Sequence, residues 1–228
     1  MINIDRLTKE YGSVSALRDV TLHLEANKII GLLGENGCGK TTLLRILAGL
    51  NQPTSGRVTI DGHEPGPQTK SKVSFLSDTP NLPGRAEVGY LVQYFADFFP
   101  DFNRPTCEKL LAQFHITEND RLNEMSKGQC EKVHVALTMS REAQVYLLDE
   151  PISGVDPAAR DSTLHAILSA MHPGALMIIT THLVADIEHI LDEAIFMRHG
   201  RIITMGAVEQ MRTDSQQSLN TYFKELYT

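Results

Sequence analysis

Gly34-Glu35-Asn36-Gly37-Cys38-Gly39-Lys40-Thr41 is the stretch on which the fold of this chain turns. It fits G-x-x-x-x-G-K-[ST], a loop whose glycines let backbone N–H groups turn inward around phosphate oxygens. The pattern carries weight only between a buried strand and a helix, and both flanks comply. Ile29-Ile30-Gly31-Leu32-Leu33 is a continuous apolar run, as a strand covered on both faces requires. Thr42-Leu43-Leu44-Arg45-Ile46-Leu47-Ala48 has helical spacing, so the loop opens a helix whose N-terminus adds partial positive charge. In this frame Lys40 reaches the β- and γ-phosphates of a nucleotide and Thr41 offers its hydroxyl to Mg²⁺. Gly34, Asn36, Gly37, Cys38, Gly39 and Thr42 complete the expected nucleotide contacts.

Two further apolar runs end in reactive side chains. Val145-Tyr146-Leu147-Leu148 leads into Asp149-Glu150, and Leu176-Met177-Ile178-Ile179 into Thr180-Thr181-His182. Open parallel sheets present ligands at the carboxyl ends of their strands. Asp149 is therefore placed as a Mg²⁺ ligand, direct or through water, and Glu150 as the group that polarises an attacking water. The position of His182 suits a hydrogen-bond donor to the γ-phosphate, although a lone histidine at a strand end is usually structural. An acidic pair after a strand is on its own more often a helix cap; the phosphate loop tips the reading to catalysis.

The remaining elements follow from period and punctuation. Ile2-Ile4 and then Leu17, Val20, Leu22 and Leu24 alternate as one-face-buried strands, an antiparallel start. Arg57-Val58-Thr59-Ile60 and Val73-Ser74-Phe75-Leu76 are short strands. From Gly84 to about Phe114 the period becomes helical, through Val88, Leu91, Val92, Phe95 and Phe99 and then Leu110, Leu111 and Phe114, with the second helix opening at Pro105. Ser126-Lys127-Gly128-Gln129 is a capping box, which starts a helix running to about Ser140. Asp156-Pro157 opens another helix, and Ala194 to Met205 turns back at His199-Gly200 as a hairpin. Strands alternating with helices predict a mainly parallel sheet carrying a helical insert.

Composition bounds the function. The 228 residues are 42% hydrophobic and 21% charged, as in one folded domain with an inserted lobe. Lys and Arg total 21 against 28 Asp and Glu, a net charge of −7 that argues against a nucleic-acid partner. Cys38, Cys107 and Cys130 have no paired spacing, so neither a disulfide framework nor a zinc site is expected, and a reducing, cytoplasmic location is. No uncharged apolar run approaches the roughly 20 residues of a bilayer-spanning helix, and Met1 to Gly12 lacks a signal-peptide core, so any membrane work falls to another chain.

Taken together, these motifs resemble the ATP-binding subunits of ABC transporters, over essentially the whole chain. Met125-Ser126-Lys127-Gly128-Gln129 stands where that family carries its L-S-G-G-Q signature. Ser153-Gly154-Val155-Asp156 resembles its D-loop, His182 its switch histidine, and Tyr11 the aromatic stacked on adenine, with ordinary packing at a strand end as the lesser alternative for Tyr11. The resemblance implies an α/β P-loop NTPase with N-terminal antiparallel strands. Residues 1–79 and 142–206 would form its catalytic core, 80–141 an inserted helical subdomain and 207–228 a helical tail. It further implies a homo- or heterodimer that sandwiches ATP and Mg²⁺, with Ser126, Gly128, Gln129 and Asp156 acting across the seam. Such a dimer drives a permease subunit on a separate chain from the inner face of the membrane, here in export. The segments Tyr94 to Asn103 and Pro151 to Pro157 are similar to those of bacterial exporters linked to peptides, antibiotics or envelope stress. A soluble ABC ATPase of cofactor assembly and a nucleotide-gated regulator are the competing readings.

Two departures stand out. Lys127 replaces a glycine close to the expected interfacial phosphate, pointing either to nucleotide or, as most lysines do, to solvent. In Phe75-Leu76-Ser77-Asp78-Thr79-Pro80, Asp78 occupies the place of a glutamine that touches Mg²⁺, so its carboxylate is expected at the metal or its water shell. Tyr90, Tyr94, Phe95, Phe98, Phe99 and Phe102 either all fill the core of the helical insert or divide between that core and a groove for a membrane-subunit helix, the two readings standing level. Cys38 has an environment expected to lower its thiol pKa and to make its alkylation nucleotide-protectable, or it is a tolerated small residue. Leu219, Tyr222, Phe223 and Leu226 form the apolar face of a last helix.

Overall fold

The computed structural model describes residues 1–79 and 82–227; Pro80 of the Asp78 segment falls outside them. The strands are β1 (Ile2–Tyr11), β2 (Val14–Leu24), β3 (Lys28–Leu33), β4 (Ser55–Ile60), β5 (Val73–Leu76), β6 (Val145–Asp149), β7 (Leu176–Thr181), β8 (Glu193–Arg198) and β9 (Arg201–Ala207). The helices are α1 (Lys40–Leu47), α2 (Pro67–Lys70), α3 (Val88–Phe98), α4 (Arg104–Gln113), α5 (Lys127–Met139), α6 (Pro157–Ala170), α7 (Val184–Ile187), α8 (Val208–Ser215) and α9 (Leu219–Tyr227).

Two sheets result. A six-stranded sheet runs β5-β6-β7-β3-β8-β9, parallel except for β9, and a three-stranded antiparallel sheet runs β2-β1-β4. Every residue of β6 and β7 is buried, which is why these strands read as unbroken apolar runs. The edge strand β9 alternates exposed and half-buried residues instead. One apolar cluster, with Val88, Leu110, Val135 and Tyr146, joins α3, α4 and α5 to one sheet face. The other, with Leu7, Leu22, Leu43 and Ile178, packs α1 and the small sheet on the opposite face. The fold is the predicted α/β architecture.

Strand β1 is longer than Ile2-Ile4 suggests. Its alternation fails at Asp5 and Arg6, both exposed, where Arg6 has φ 45° and the pairing with β2 and β4 shifts register. A bulge hides the period from any reading of the sequence. The capping box at Ser126 does start α5, with Ser126 Oγ accepting from the Gln129 N–H at 3.2 Å and Gln129 Oε1 from the Ser126 N–H at 2.9 Å. The four-residue helices α2 and α7 are too short to leave a period.

Candidate functional site

In the large sheet β6, β7 and β3 lie side by side, with Asp149 opposite Thr180 and Leu33 opposite Thr181. Their carboxyl ends therefore bring three separate motifs to one edge. Lys40, Thr41, Asp78, Asp149 and Glu150 line a common cleft of about 350 Å³.

The loop after β3 needs glycine where the chain crowds itself. Gly39, the N-cap of α1, has φ 112°, and a Cβ there would lie 2.4 Å from the Ala16 carbonyl oxygen. Lys40 is 6% exposed, and its Nζ donates to the carbonyls of Gly34 at 2.7 Å and Glu35 at 3.0 Å. The ammonium is thus held over the loop by two of its backbone carbonyls.

Asp149 is 1% exposed. Its Oδ1 accepts from Thr180 Oγ1 at 2.6 Å, and the Thr41 hydroxyl lies near enough to favour its charged form. Its Oδ2 is buried and, among the described residues, has no hydrogen-bond partner. Burial pushes the carboxyl above its ordinary range, the two hydroxyls pull it back, and the nearby Asp78 and Glu150 push it further up. A buried, unpartnered carboxylate oxygen beside a threonine hydroxyl and two acidic neighbours fits a hard divalent cation. Asp78 reaches this cleft, but its own carboxylate lies 3.7 Å from Arg45 Nη2.

Glu150 has φ 52°, a left-handed conformation that a non-glycine residue adopts at a cost of order 1–3 kcal/mol. Its N–H is held by the carbonyl and the Oγ1 of Thr180, each at 3.1 Å. Its Oε2 accepts from Thr181 Oγ1 at 3.2 Å, and its Oε1 lies 3.0 Å from Nδ1 of His182. The strain aims the carboxylate, and the histidine expected at the γ-phosphate is poised on that carboxylate.

Other expected residues stand apart. Ser126 and Gln129 are exposed and spend their side chains on the cap of α5; with Gly128 they line no part of the Lys40 cleft. Lys127 is 79% exposed and lies 3.7 Å from Glu131, which favours the solvent reading. Asp156 is the exposed N-cap position of α6 without a side-chain cap bond. Tyr11 ends β1, with its hydroxyl accepting from Asn51 Nδ2 at 2.7 Å and Lys9 Nζ 4.9 Å from its ring centre. Cys38 runs against one expectation: it is 5% exposed, and burial raises its thiol pKa against the pull of Lys40, which favours the reading of a tolerated small residue over an activated thiol.

Sequence reasoning gave no role to Thr180 or Thr181, which hold both carboxylates; a polar pair ending an apolar strand is their only signal. It also missed Glu131, whose carboxylate packs on the backbone of Gly154 so closely that a Cβ there would sit 2.0 Å from Oε1.

Residues 17–153 match the family model described as ABC transporter. The chain belongs to the ABC transporter family. It is 29% identical over 233 residues to the lipopolysaccharide export system ATP-binding protein LptB of Haemophilus influenzae, covering 95% of this chain and 94% of the relative. It is equally 29% identical over 235 residues to the sulfate/thiosulfate import ATP-binding protein CysA of Neisseria meningitidis, covering 97% and 66%. Its fold matches a structure titled as the ATP binding subunit of an ABC transporter, at a TM-score of 0.86 and 25% identity over 100% of both chains. It also matches the dimeric, ADP- and phosphate-bound ATP-binding cassette MJ0796, at 0.78 and 20% identity over 91% and 98%. Like its family, this ABC protein is an ATP hydrolase. Among the described residues no helix is long and apolar enough to cross a membrane.

Proposed function

We propose that this ABC ATPase closes as a dimer around ATP and drives a separate membrane-spanning subunit, in the direction of export. The observation that carries the reading is an incomplete site. Lys40, Thr41, Asp149, Glu150 and His182 converge at the strand ends, whereas the Ser126–Gly128 helix terminus, the other anion-binding element, lines no part of that cleft. A second copy supplies it. The dimeric cassette MJ0796, similar in fold, supports that arrangement.

In the closed pair the loop N–H groups and Lys40 bind the β- and γ-phosphates, and Ser126 with the Gly128 N–H of the opposite copy meets the γ-phosphate from the far side. Glu150 orients the attacking water and takes up its proton at the carboxylate, and His182 holds Glu150 and then the transferred phosphate. Thr41 and Asp149, with Asp78 beside them, would hold Mg²⁺, whose chemistry is to neutralise the charge that builds on the phosphate oxygens.

The membrane partner has a candidate seat. Tyr90, Tyr94 and Phe98 form an exposed ladder on α3, with Tyr94 and Phe98 ring centres 4.5 Å apart, while Phe95 and Phe102 turn inward. Such an aromatic stripe suits an apolar helix of a membrane subunit and places the chain peripherally on the inner face. Export rests on the resemblance of Tyr94–Asn103 and Pro151–Pro157 to exporter ATPases; the relatives include both directions.

Phosphate release from Mg-ATP by purified protein tests the reading. Turnover per chain should rise with protein concentration, because two chains make one site, and Lys40→Ala should abolish it. Turnover independent of concentration contradicts the shared site, and binding without any turnover favours the regulator instead.

A further inference from the structure

The phosphate loop has a rear wall, and α9 builds it. Gly34, the first residue of the loop, is enclosed from behind. A Cβ on it would lie 2.5 Å from Cys38 Sγ, 2.5 Å from the Met197 carbonyl oxygen and 3.3 Å from the Tyr227 hydroxyl. That hydroxyl donates to the Met197 carbonyl at 2.6 Å and stands 3.4 Å from the carbonyl of Leu33. Leu33 is the last residue of β3, and Met197 belongs to β8, which pairs with β3 through Leu33 and Phe196. One phenol therefore spans both strands at the point where β3 becomes the phosphate loop.

The front of the same residue is held by the site itself, since Lys40 Nζ donates to the Gly34 carbonyl at 2.7 Å. Gly34 sits between the ammonium that will meet phosphate and a hydroxyl contributed from 193 positions further along the chain, 227 less 34. Tyr227 is fixed in turn. Its ring lies 4.7 Å from that of Phe223, the Arg198 guanidinium stands 5.9 Å over it, and Arg198 Nη1 donates to the Leu226 carbonyl at 3.3 Å. Burial raises the phenol pKa well above its usual value, so the group remains a donor throughout the working pH range.

We infer that Tyr227 is a positioning residue for the phosphate loop: its hydroxyl fixes the end of β3 and Gly34 in the arrangement that receives the triphosphate, so the seating of α9 sets nucleotide affinity. The inference rests on the reading of this loop as the nucleotide site and adds to it a distal control. A preorganised loop binds without first ordering itself, and loosening it shows as weaker binding more than as slower chemistry.

Titration of a fluorescent ATP analogue with Mg²⁺, together with thermal melting and steady-state hydrolysis, tests this on the whole chain. Tyr227→Phe should raise Kd and KM about fivefold, the worth of roughly one hydrogen bond, and leave kcat within about twofold. Tyr222→Phe is the control, because Tyr222 lies on the same helix and packs its ring on Phe196 at 5.5 Å. Tyr222→Phe keeps that ring packing, and with it the seating of α9, so it should leave Kd unchanged. Should Tyr227→Phe fold poorly, Phe223→Leu, which unseats the ring but keeps the hydroxyl, must raise Kd in the same way. Wild-type protein that binds nucleotide while both variants lower only the melting temperature overturns the inference alone. Wild-type protein that does not bind the analogue overturns the reading of the site and the inference with it.

Discussion

His134 lies in the middle of α5 at 9% exposure, and burial alone pushes its pKa down from 6.5 to about 4. The folded protein therefore resists protonating a group that the unfolded chain protonates readily. The contribution to stability is complete above the unfolded value and is lost as pH falls toward the folded one. By pH 5 the loss amounts to about 2 kcal/mol, at about 1.4 kcal/mol per pH unit below the unfolded pKa. Urea unfolding at pH 7 and pH 5 should show that drop, and His134→Leu should remove most of it; an equal drop in the variant assigns the acid sensitivity elsewhere. Asp78 carries a second prediction at this scale. If its place in the cleft with Thr41 and Asp149 reflects a part in holding Mg²⁺, Asp78→Ala should raise the Mg²⁺ concentration needed for half-maximal hydrolysis by roughly tenfold or more. An unchanged Mg²⁺ titration removes Asp78 from the metal site and leaves it as the partner of Arg45.

At the scale of elements, what could be read from the sequence and what could not divide by distance along the chain. The phosphate loop, Asp149-Glu150, His182 and the Ser126 cap were all legible, because each is a short run in which period and chemistry coincide. Tyr227 and Thr180 were not, since their partners lie 194 and 31 positions away. Arg141 is the clearest case. Its side chain is 5% exposed and grips Asp101 through Nε at 3.0 Å and Nη2 at 2.9 Å, while Nη1 donates to the Val73 carbonyl at 2.8 Å. The guanidinium also stands 4.1 Å over the Phe99 ring, so one residue ties the segment between α3 and α4 to the start of β5. A lysine keeps the charge and loses the fork. Arg141→Lys should cost about 2 kcal/mol in denaturant unfolding, the worth of a charge-assisted hydrogen bond lost with the fork. A loss under about 1 kcal/mol, the range of exposed ion pairs, would show that this junction contributes little.

The whole molecule is a machine with its parts on two surfaces. The strand-end cleft gathers Lys40, Thr41, Asp149 and Glu150, while the capped start of α5 is not among the residues that line it. On α3 a stacked aromatic ladder remains exposed to solvent. In the proposed reading a second copy completes this chain across one surface and a membrane subunit covers the other. In the same reading Glu150 takes its left-handed backbone and Lys40 rests on carbonyls because both are set for a triphosphate that the pair encloses. On that proposal hydrolysis separates the copies, so blocking the water-activating carboxylate should arrest them together. The most direct measurement is the solution mass of Glu150→Gln by light scattering, with and without Mg-ATP. A shift from one chain to two on adding Mg-ATP, with turnover abolished, is the predicted result; a variant that binds the nucleotide and stays a single chain contradicts the account.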